Sequence, residues 1–388
     1  MNDAGGSLRV AVVTNTIPPY RTPVFASLAA TPGVSLRLFV SLHPRRCDPL
    51  ARATLPIVPV AGLNLPWRTW HRSVAAGQVE SLHLPVGLPA RLLEFRPHVI
   101  VAGEFGPRSL AASMVARLLR VPLVLWSEEI AETAAATTGL QRRLRRILLP
   151  RAAAFLVWGE PAHRYLRSQG IADSKLHACA QAVDNDHWRR LAGAVDRSGA
   201  RERAGVRGRV FLAVGRFVER KGFANLLDAW SGLSLAQRGR DTLILVGDGP
   251  ERARLQELAA GIAGADIRFP GRREGGELAA YYALADVFVF PSLVDVWGLV
   301  VNEAMACGLP VLGSHFAGSS QQLVQGSDAG EVFDPTRLAD FTQLLERWSS
   351  KSQLPARERP QEIVAAVNFR VTQDALLRLL AQVAPRAG

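Results

Sequence analysis

Short apolar runs rich in β-branched residues alternate with helical patterns along almost the whole chain, and this alternation constrains the fold most strongly. In the first half it predicts strands at Leu8–Thr14, Val34–Ser41, His98–Ala102, Pro122–Trp126 and Ala153–Trp158. In the second half it predicts strands at Val210–Val214, Thr242–Val246, Asp266–Phe269, Asp286–Phe290 and Pro310–Leu312. Such strands, separated by helices, are typical of parallel sheets covered on both faces. We therefore predict two Rossmann-like α/β domains.

The chain has 388 residues, a length that fits two domains of ordinary size. We predict a first domain at residues 1–190, a linker at 191–209 and a second domain at 210–361. The linker prediction depends on a polar stretch, rich in Arg, Gly and Ala, that contains no apolar run. A polar segment with two prolines at 350–361 predicts a loop, and residues 362–388 are predicted to form a C-terminal helical segment.

Composition excludes several classes of protein. No run of 18 apolar residues occurs, so no transmembrane helix is predicted. The N-terminal residues lack a basic segment followed by an apolar one, so no signal peptide is expected. Cys47, Cys179 and Cys307 are too few and too scattered for a disulfide framework, which favours a reducing cytoplasm. The histidines and cysteines show no metal-ligand spacing, so no metal site is predicted.

The formal net charge of +12 admits nucleic acid, anionic lipid or a phosphorylated substrate as a partner. Nearly all of the positive charge is arginine, which genomic base composition alone could explain. Helix-turn-helix signals and basic strands with interleaved aromatic residues are lacking, so we predict no nucleic-acid partner. The absence of GxGxxG after the first strand argues against a dinucleotide-dependent oxidoreductase, and the absence of GxxxxGK[ST] excludes P-loop chemistry.

A glycine-rich basic loop follows the strand Val210–Val214. Gly215 permits a tight turn, and Arg216 and Lys221 come just before Gly222 and the next predicted helix. Ligands of parallel sheets bind at the carboxyl ends of the strands, and two cations at a helix N-terminus suit a diphosphate. A basic, solvated loop is an equally good interpretation of the spacing alone.

Two acidic residues flank a second turn of this kind. Asp295 lies on the loop before Gly298, and Glu303 lies just over one turn into the helix Leu299–Ala306. A carboxylate offers two acceptor oxygens, enough for the two hydroxyls of a ribose. Alternatively, Asp295 caps the helix and Glu303 is an ordinary acid near its positive end.

Four segments of the second half, GRFVERKG, LVGDGPER, IRFPGR and PSLVDVWGLVVNEAMACGLPV, resemble the retaining glycosyltransferases of family 4. The resemblance covers most of Val210–Pro335, and a fainter one covers TNTIPPYRTPVF, VPLVLWSEE and AVDN in the first half. It implies the GT-B fold, in which two Rossmann-like domains have parallel sheets facing a central cleft. It also implies that the second domain binds a nucleotide sugar and the first domain binds the acceptor.

The resemblance assigns roles to the candidate residues. Arg216 and Lys221 would neutralise the diphosphate, Glu303 would hold the ribose, and Asp295 would contact the donor sugar, and we group these four as catalytic candidates. Further donor contacts would come from Gly215, Val296, Trp297, Gly298 and Leu299, and contacts near the base from Arg268, Phe269 and Gly271. On the acceptor side, the candidates are Arg21, Glu104 and Glu128, although each acid is equally well explained as an ordinary loop residue.

The chain departs from the family pattern in four places. Asp295 stands where glutamate is usual, and Ile17-Pro18-Pro19-Tyr20-Arg21 replaces a glycine pair. Trp126-Ser127-Glu128-Glu129 stands where many members carry a histidine, and Ser320-Gln321-Gln322 stands where a glutamate is common. None of these changes removes the basic residues predicted to bind the diphosphate.

The function implied is transfer of a hexose, with retention, from a nucleoside-diphosphate sugar to a glycan or lipid-linked acceptor. Bacterial surface polysaccharide or glycolipid synthesis is the expected setting. No metal or cofactor is expected to be obligatory, and the sugar nucleotide is a substrate. A non-catalytic nucleotide-sugar-binding scaffold and an epimerase or phosphorylase of the same fold remain alternatives, because the candidate residues do not separate binding from catalysis.

A basic segment at 139–148 predicts an amphipathic helix. Arg142, Arg143, Arg145 and Arg146 would occupy one face, and leucines the other. Such a helix can lie on anionic lipid, which would place a cytoplasmic enzyme peripherally at the inner face of the plasma membrane. The competing interpretation packs Leu140, Leu144 and Leu148 inward and leaves the arginines in solvent.

Overall fold

A computed structural model describes residues 7–41, 47–67, 80–135, 137, 139–206 and 208–384. The side chains of 64–67 and 80–82 are outside this description. The first six residues of the N-terminal segment used to predict the absence of a signal peptide also lie outside the described residues. The described residues contain no helix that is both long enough and apolar enough to cross a membrane.

Strands and helices alternate through the described chain. The strands are β1 (Leu8–Thr14), β2 (Val34–Val40), β3 (Ile57–Pro59), β4 (Leu63–Trp67), β5 (Glu80–Leu84), β6 (Val99–Gly103), β7 (Leu123–Ser127), β8 (Ala154–Trp158), β9 (Leu176–Cys179), β10 (Val210–Val214), β11 (Thr242–Val246), β12 (Asp266–Gly271), β13 (Val287–Phe290), β14 (Val311–Ser314) and β15 (Gly330–Phe333). All the strands predicted from the sequence are present, and their ends differ from the predicted ones by at most two residues.

Seventeen α-helices are assigned within the described residues. They are α1 (Thr22–Ala29), α2 (Pro49–Thr54), α3 (Leu88–Phe95), α4 (Pro107–Leu119), α5 (Ala131–Ala135), α6 (Gly139–Leu148), α7 (Gly159–Ser168), α8 (Asn185–Gly193), α9 (Arg197–Arg203), α10 (Phe223–Ser231), α11 (Leu235–Arg240), α12 (Arg252–Ala260), α13 (Gly275–Leu284), α14 (Leu299–Ala306), α15 (Leu338–Ser350), α16 (Glu358–Ala365) and α17 (Phe369–Val383).

The chain divides into two compact units. The first comprises Met1–Ala180 and Phe369–Gly388, and the second comprises Gln181–Asn368. The main sheet of the first unit is parallel, in the order β3-β2-β1-β6-β7-β8-β9, and β4 and β5 form a separate antiparallel pair. Residues of β7 and β8 are buried throughout, because helices cover both faces.

The second unit contains a parallel sheet in the order β12-β11-β10-β13-β14-β15. Its central strands β10, β11 and β13 are wholly buried, and Trp230, Phe341 and Trp348 pack into the core beside them. The sequence-based prediction of two α/β domains with parallel sheets is confirmed. In both sheets the first strand lies at the point where the strand order reverses, so the loops after β1 and β10 are favourable places for a ligand.

The predicted domain boundaries need correction. The boundary lies at 180/181 instead of 190, and the segment predicted as a linker carries the end of α8 and the whole of α9, both in the second unit. Asp184 and Asp196 cap these helices by accepting hydrogen bonds from the backbone N–H groups of His187 (2.8 Å) and Gly199 (3.1 Å). The polar composition that suggested a linker is structural, since Arg197 and Arg201 both form ion pairs with Asp286.

The C-terminal segment also differs from the prediction. Instead of one helix after 362, α16 begins within the predicted loop, and the later helix α17 belongs to the first unit. There α17 packs against α1, β8 and β9. Its buried face carries Leu376, Leu379 and Leu380. The first unit therefore depends on residues from both ends of the described chain.

Leu379→Ala should destabilise the first unit selectively. Leu379 is fully buried, and truncating such a side chain costs about 2–5 kcal/mol. Hydrogen–deuterium exchange should quicken in β8 and β9 while β10 and β11 stay protected. Val371→Ala, at an exposed position of the same helix, is the matched control. Faster exchange confined to the second unit would contradict the assignment of α17.

Candidate functional site

The loop after β10 is held tightly against the loop after β13. Gly222 has φ +68°, and a Cβ built there would overlap the carbonyl oxygen of Pro291. The Arg220 carbonyl accepts hydrogen bonds from the Leu293 N–H (2.8 Å) and the Ser292 hydroxyl (3.2 Å). A side chain at position 222 would force these loops apart, so the glycine sets the distance between the two candidate segments.

This packing brings together two predicted site residues. The Lys221 ammonium forms an ion pair with the Asp295 carboxylate, and the two side chains are only 16% and 14% exposed. The Lys221 Nζ atom also lies 5.4 Å from the centroid of the Phe290 ring. Arg216, on the same loop, is exposed. The sequence predicted a diphosphate role for Lys221 and a sugar role for Asp295, but not their direct pairing.

The loop from Asp295 to Gly298 ends at the N-terminus of α14. Gly298 has φ +98°, and a Cβ there would lie 2.6 Å from the Phe290 ring. The Asp295 N–H donates to the Phe316 carbonyl (3.2 Å), which fixes the start of the loop beside β14. Leu299 begins the helix, whose first N–H groups have no intrahelical partner and favour a negative group.

Trp297 anchors this loop from within the core. Its side chain is 1% exposed, and its Nε1–H donates to the Asn302 side-chain oxygen at 2.8 Å. The Asn302 amide donates in turn to the Gln181 carbonyl at 3.2 Å, and the Ser319 hydroxyl donates to the Trp297 carbonyl at 2.6 Å. Of the predicted donor contacts at Val296–Leu299, Trp297 can therefore contribute only through its backbone.

Glu303 is a half-buried carboxylate on α14. The Tyr282 hydroxyl donates to its Oε2 atom at 3.0 Å. Burial raises the pKa of Glu303 to about 7, and the hydrogen bond from Tyr282 offsets part of that rise. Burial, together with the neighbouring Glu303, raises the pKa of Tyr282 well above its usual value, so the phenol stays neutral and donates. The sequence did not single out Tyr282, which reads as one more apolar position on α13.

The side chains of the segment predicted to lie beside a base, residues 268–271, are mostly engaged in contacts within the second unit. The Arg268 guanidinium donates to the Asp266 carboxylate within β12, and its two terminal nitrogens donate to the carbonyls of Ala204 and Gly205, which holds β12 to the segment before β10. Its side chain is therefore structural, and the placement of its backbone beside a base stays a prediction. Phe269 packs edge-on against Phe217, and Gly271 ends β12 at the carboxyl edge of the sheet.

The three acceptor-side candidates of the first unit lie at the carboxyl ends of its strands. Arg21 forms an ion pair with Glu128, and the Glu104 carboxylate accepts from the Arg108 guanidinium at 2.8 Å. Arg21 also lies over the Trp126 ring, 4.8 Å from its centroid. Arg108 and Trp126 were missed by the sequence, because nothing in their local pattern separates them from helix-surface and strand-core residues.

The basic helix α6 is only partly as predicted. Arg145 is buried and ion-paired with Glu129, so it does not belong to an exposed basic face. Arg142, Arg143 and Arg146 are exposed. Leu144 and Leu148 pack inward, but Leu140 is 43% exposed instead of buried.

The described residues hold no cluster of three or more His, Cys, Asp or Glu side chains suited to a metal ion.

Comparison with known proteins places this architecture in a class. HepE of Anabaena, solved in complex with UDP and glucose, matches with a TM-score of 0.74 at 17% identity, over 97% of this chain and 100% of that chain. WaaG, a glycosyltransferase involved in lipopolysaccharide biosynthesis, matches with a TM-score of 0.66 at 16% identity, over 98% of this chain and 100% of that chain. The fold is GT-B, as the sequence predicted.

Sequence comparison also finds glycosyltransferases. Residues 198–364 match the family model described as Glycosyl transferases group 1. The 2-deoxystreptamine glucosyltransferase of Streptomyces kanamyceticus is 30% identical over 278 residues, 68% of each chain. A GDP-mannose-dependent alpha-mannosyltransferase of Corynebacterium glutamicum is 30% identical over 288 residues, 68% of this chain and 62% of that protein. The lipopolysaccharide core biosynthesis glycosyltransferase LpsE of Rhizobium meliloti is 33% identical over 177 residues, 44% of this chain and 49% of that protein. The chain belongs to the group 1 glycosyltransferase family.

The raised pKa of Glu303 predicts a pH-dependent stability. Between its ordinary pKa of 4.5 and about 7, the folded protein keeps a proton that the unfolded chain has lost. This contribution to stability is complete below the lower value and disappears as the pH rises through the upper one. The stability of wild type relative to Glu303→Gln should therefore fall over that interval and then level off.

Thermal unfolding of both proteins from about pH 4 to about pH 9, without nucleotide, measures this difference. The exposed Glu257→Gln change controls for the loss of one carboxylate from the same unit. A constant difference between wild type and Glu303→Gln across the range would refute the raised pKa.

Proposed function

We propose that the protein is a retaining glycosyltransferase that moves a hexose from a nucleoside-diphosphate sugar to a glycan or lipid-linked acceptor. The observation that carries the proposal is the convergence of Lys221, Asp295 and the N-terminus of α14 where β10 and β13 end. The names of the relatives support the reaction class, since they include transferases of mannose and glucose.

The diphosphate of the donor would lie against Lys221 and the first turn of α14, with Arg216 beside it. Lys221 would exchange its Asp295 partner for phosphate oxygens, and Asp295 would then be free to accept hydroxyls of the donor sugar. The exchange replaces one partly buried ion pair by another, so the cost of desolvating Lys221 is already met in the folded protein.

Glu303 would hold the two ribose hydroxyls. Both hydroxyls donate to a carboxylate, so binding favours its ionised form, and a group with a pKa of about 7 is readily ionised at neutral pH. Tyr282 occupies the Oε2 atom from the buried side and fixes the plane of the carboxylate. The remaining acceptor positions are those that a ribose would use.

Transfer would proceed on one face of the sugar. The bond from the anomeric carbon to the diphosphate oxygen breaks, the acceptor hydroxyl oxygen bonds to that carbon on the same face, and the hydroxyl proton passes to the departing diphosphate. The main task of the protein is to stabilise the charge that develops on the diphosphate, and fixed cations and helix N–H groups perform it. In this scheme neither an enzymic nucleophile nor a metal is obligatory.

Surface-polysaccharide or glycolipid assembly at the inner face of the plasma membrane is the proposed setting. LpsE and WaaG, both named for lipopolysaccharide synthesis, support it. Arg142, Arg143 and Arg146 are exposed on α6 and would contact anionic headgroups, beside the exposed Leu140.

Nucleotide binding tests the donor site. In a thermal-shift panel of UDP, GDP, ADP, CDP and dTDP, one base should stabilise the wild type, by roughly 2.7 kcal/mol at ~100 times its Kd. Lys221→Ala should abolish this stabilisation, and Lys175→Ala, at an exposed lysine of the first unit, should keep it. With the matching sugar nucleotide, Lys221→Ala or Arg216→Ala should lower kcat by on the order of 100-fold. Failure of all five nucleotides to stabilise the wild type would refute the proposal.

Membrane association is tested by pelleting with anionic phosphatidylglycerol vesicles. Changing Arg142, Arg143 and Arg146 together to Gln should release the protein, at roughly 1 kcal/mol per arginine. Changing the exposed Arg203, Arg254 and Arg337 of the second unit to Gln removes the same charge elsewhere and should not. Equal pelleting of both triple variants and the wild type would exclude α6 as the contact.

A further inference from the structure

Tyr282 is a fully buried phenol on α13 whose hydroxyl group donates to the Glu303 Oε2 atom of α14 at 3.0 Å. Its ring packs edge-on against Trp188 of α8, with 5.7 Å between the ring centroids, and lies 5.9 Å from the ring of Phe288 on β13. These contacts fix the ring without any ligand. The position of the hydroxyl group therefore sets the orientation of the Glu303 carboxylate.

The Glu303 carboxylate has the Tyr282 hydroxyl as its one hydrogen-bond donor among the described residues. An ionised carboxylate offers about four acceptor positions. One donor does not offset burial, which raises the pKa of Glu303 to about 7. Without a ligand, a large share of the folded protein therefore carries a proton on this side chain near neutral pH.

The hydrogen bond from Tyr282 determines which oxygen of Glu303 carries that proton. In a neutral carboxyl group the carbonyl oxygen is the better acceptor, and Oε2 is the atom that accepts from Tyr282. The proton of the neutral form is therefore placed on Oε1. Because Oε1 is also the oxygen left for a ligand, a proton and a ribose hydroxyl group compete for the same atom.

Among the described residues, the other titratable groups around Glu303 are neutral, engaged elsewhere or exposed. Burial raises the pKa of the Cys307 thiol, at the end of α14, to about 12 and keeps it neutral. Arg357 donates to backbone carbonyls, and Lys221 pairs with Asp295. The titratable side chains of α8 and α16, which pack against α14, are exposed: Asp186, His187, Arg189, Arg190, Glu358, Arg359 and Glu362.

We propose that Tyr282 is a positioning residue of the donor site, which makes a proton and the ribose of a nucleotide alternative occupants of the Glu303 Oε1 atom. A nucleotide therefore binds with release of a proton from Glu303. The inference rests on the proposed function, because it concerns the donor site of the same enzyme. It goes beyond a ribose contact, since it links donor affinity to pH through a buried residue that touches no ligand.

Titration calorimetry on the full chain tests the inference. The probes are the diphosphates of uridine, guanosine, adenosine and cytidine, each beside its 2′,3′-dideoxy counterpart, so that titration of the phosphates cancels within a pair. At about pH 6, measured in two buffers of different ionisation enthalpy, the ribonucleotide of the base that binds should release up to about one proton more than its counterpart. Its affinity advantage should grow about 10-fold from about pH 6 to about pH 8 and then level off.

Tyr282→Phe keeps the ring and removes the hydroxyl group. The pKa of Glu303 then rises further, so the affinity advantage of the ribonucleotide at about pH 7 should fall roughly 10-fold and largely recover at higher pH. A merely structural role would give no such recovery. Tyr281→Phe, at a partly exposed position of the same helix, is the matched control and should behave as the wild type. Glu303→Gln should show no pH-dependent advantage.

Proton release that Glu303→Gln abolishes, with a pH dependence that Tyr282→Phe displaces and Tyr281→Phe keeps, supports the inference. Equal affinity of the two members of a pair, an advantage independent of pH, or a loss in Tyr282→Phe that higher pH does not recover overturns it. In each of these cases a nucleotide still binds, so the donor proposal stands. The wild-type proton count holds even if Tyr282→Phe fails to fold. If none of the four ribonucleotides binds, the inference fails, and the panel that includes dTDP decides the donor proposal.

Discussion

The close approach of Gly222 to the Pro291 carbonyl is the contact on which the geometry of the candidate donor site depends. Because no Cβ intervenes, the Arg220 carbonyl can accept from the loop after β13, and these hydrogen bonds hold the two loops together. Lys221 then reaches Asp295, and both lie beside the helix that carries Glu303. The sheet order places the ends of β10 and β13 next to each other. The contact between Gly222 and Pro291 then fixes the distance between the side chains of the two loops.

The charges of the candidate site would allow Lys221 to exchange its Asp295 partner for a ligand anion. The mostly buried ion pair with Asp295 holds Lys221 in position. Breaking this pair would be costly unless another anion took the place of Asp295. In the proposed scheme a diphosphate would supply that replacement and free Asp295 for hydroxyl groups. Glu303 has no cationic partner among the described residues to offset the rise in its pKa that burial causes. A ligand group that donates hydrogen bonds to the Glu303 carboxylate would therefore bind favourably there, whereas a phosphate would be repelled by it.

The sequence predicted those features whose cause is local. Apolar runs identify the buried central strands, and glycine followed by a helical pattern identifies the loops at their ends. The edge strands β9 and β15 were missed, because a strand with one neighbour needs fewer apolar residues and β15 reads Gly-Glu-Val-Phe. Partners on separate elements were also missed. Tyr282 lies on α13 and Glu303 on α14, and only the fold joins them. The partners of the Arg268 side chain were missed for the same reason, since the carbonyls that it bonds lie on another segment.

The backbone at Glu104 holds its side chain in place against a conformational cost. Glu104 has φ +66°, a left-handed conformation that costs a residue with a side chain roughly 1–2 kcal/mol. Hydrogen bonds from the Ser109 hydroxyl to the Glu104 carbonyl (2.5 Å) and from the Glu104 N–H to the Trp126 carbonyl (3.1 Å) hold it there. Glycine would adopt this conformation without strain but would leave Arg108 without its carboxylate. Strain of this kind persists at functional sites where the side chain itself is required.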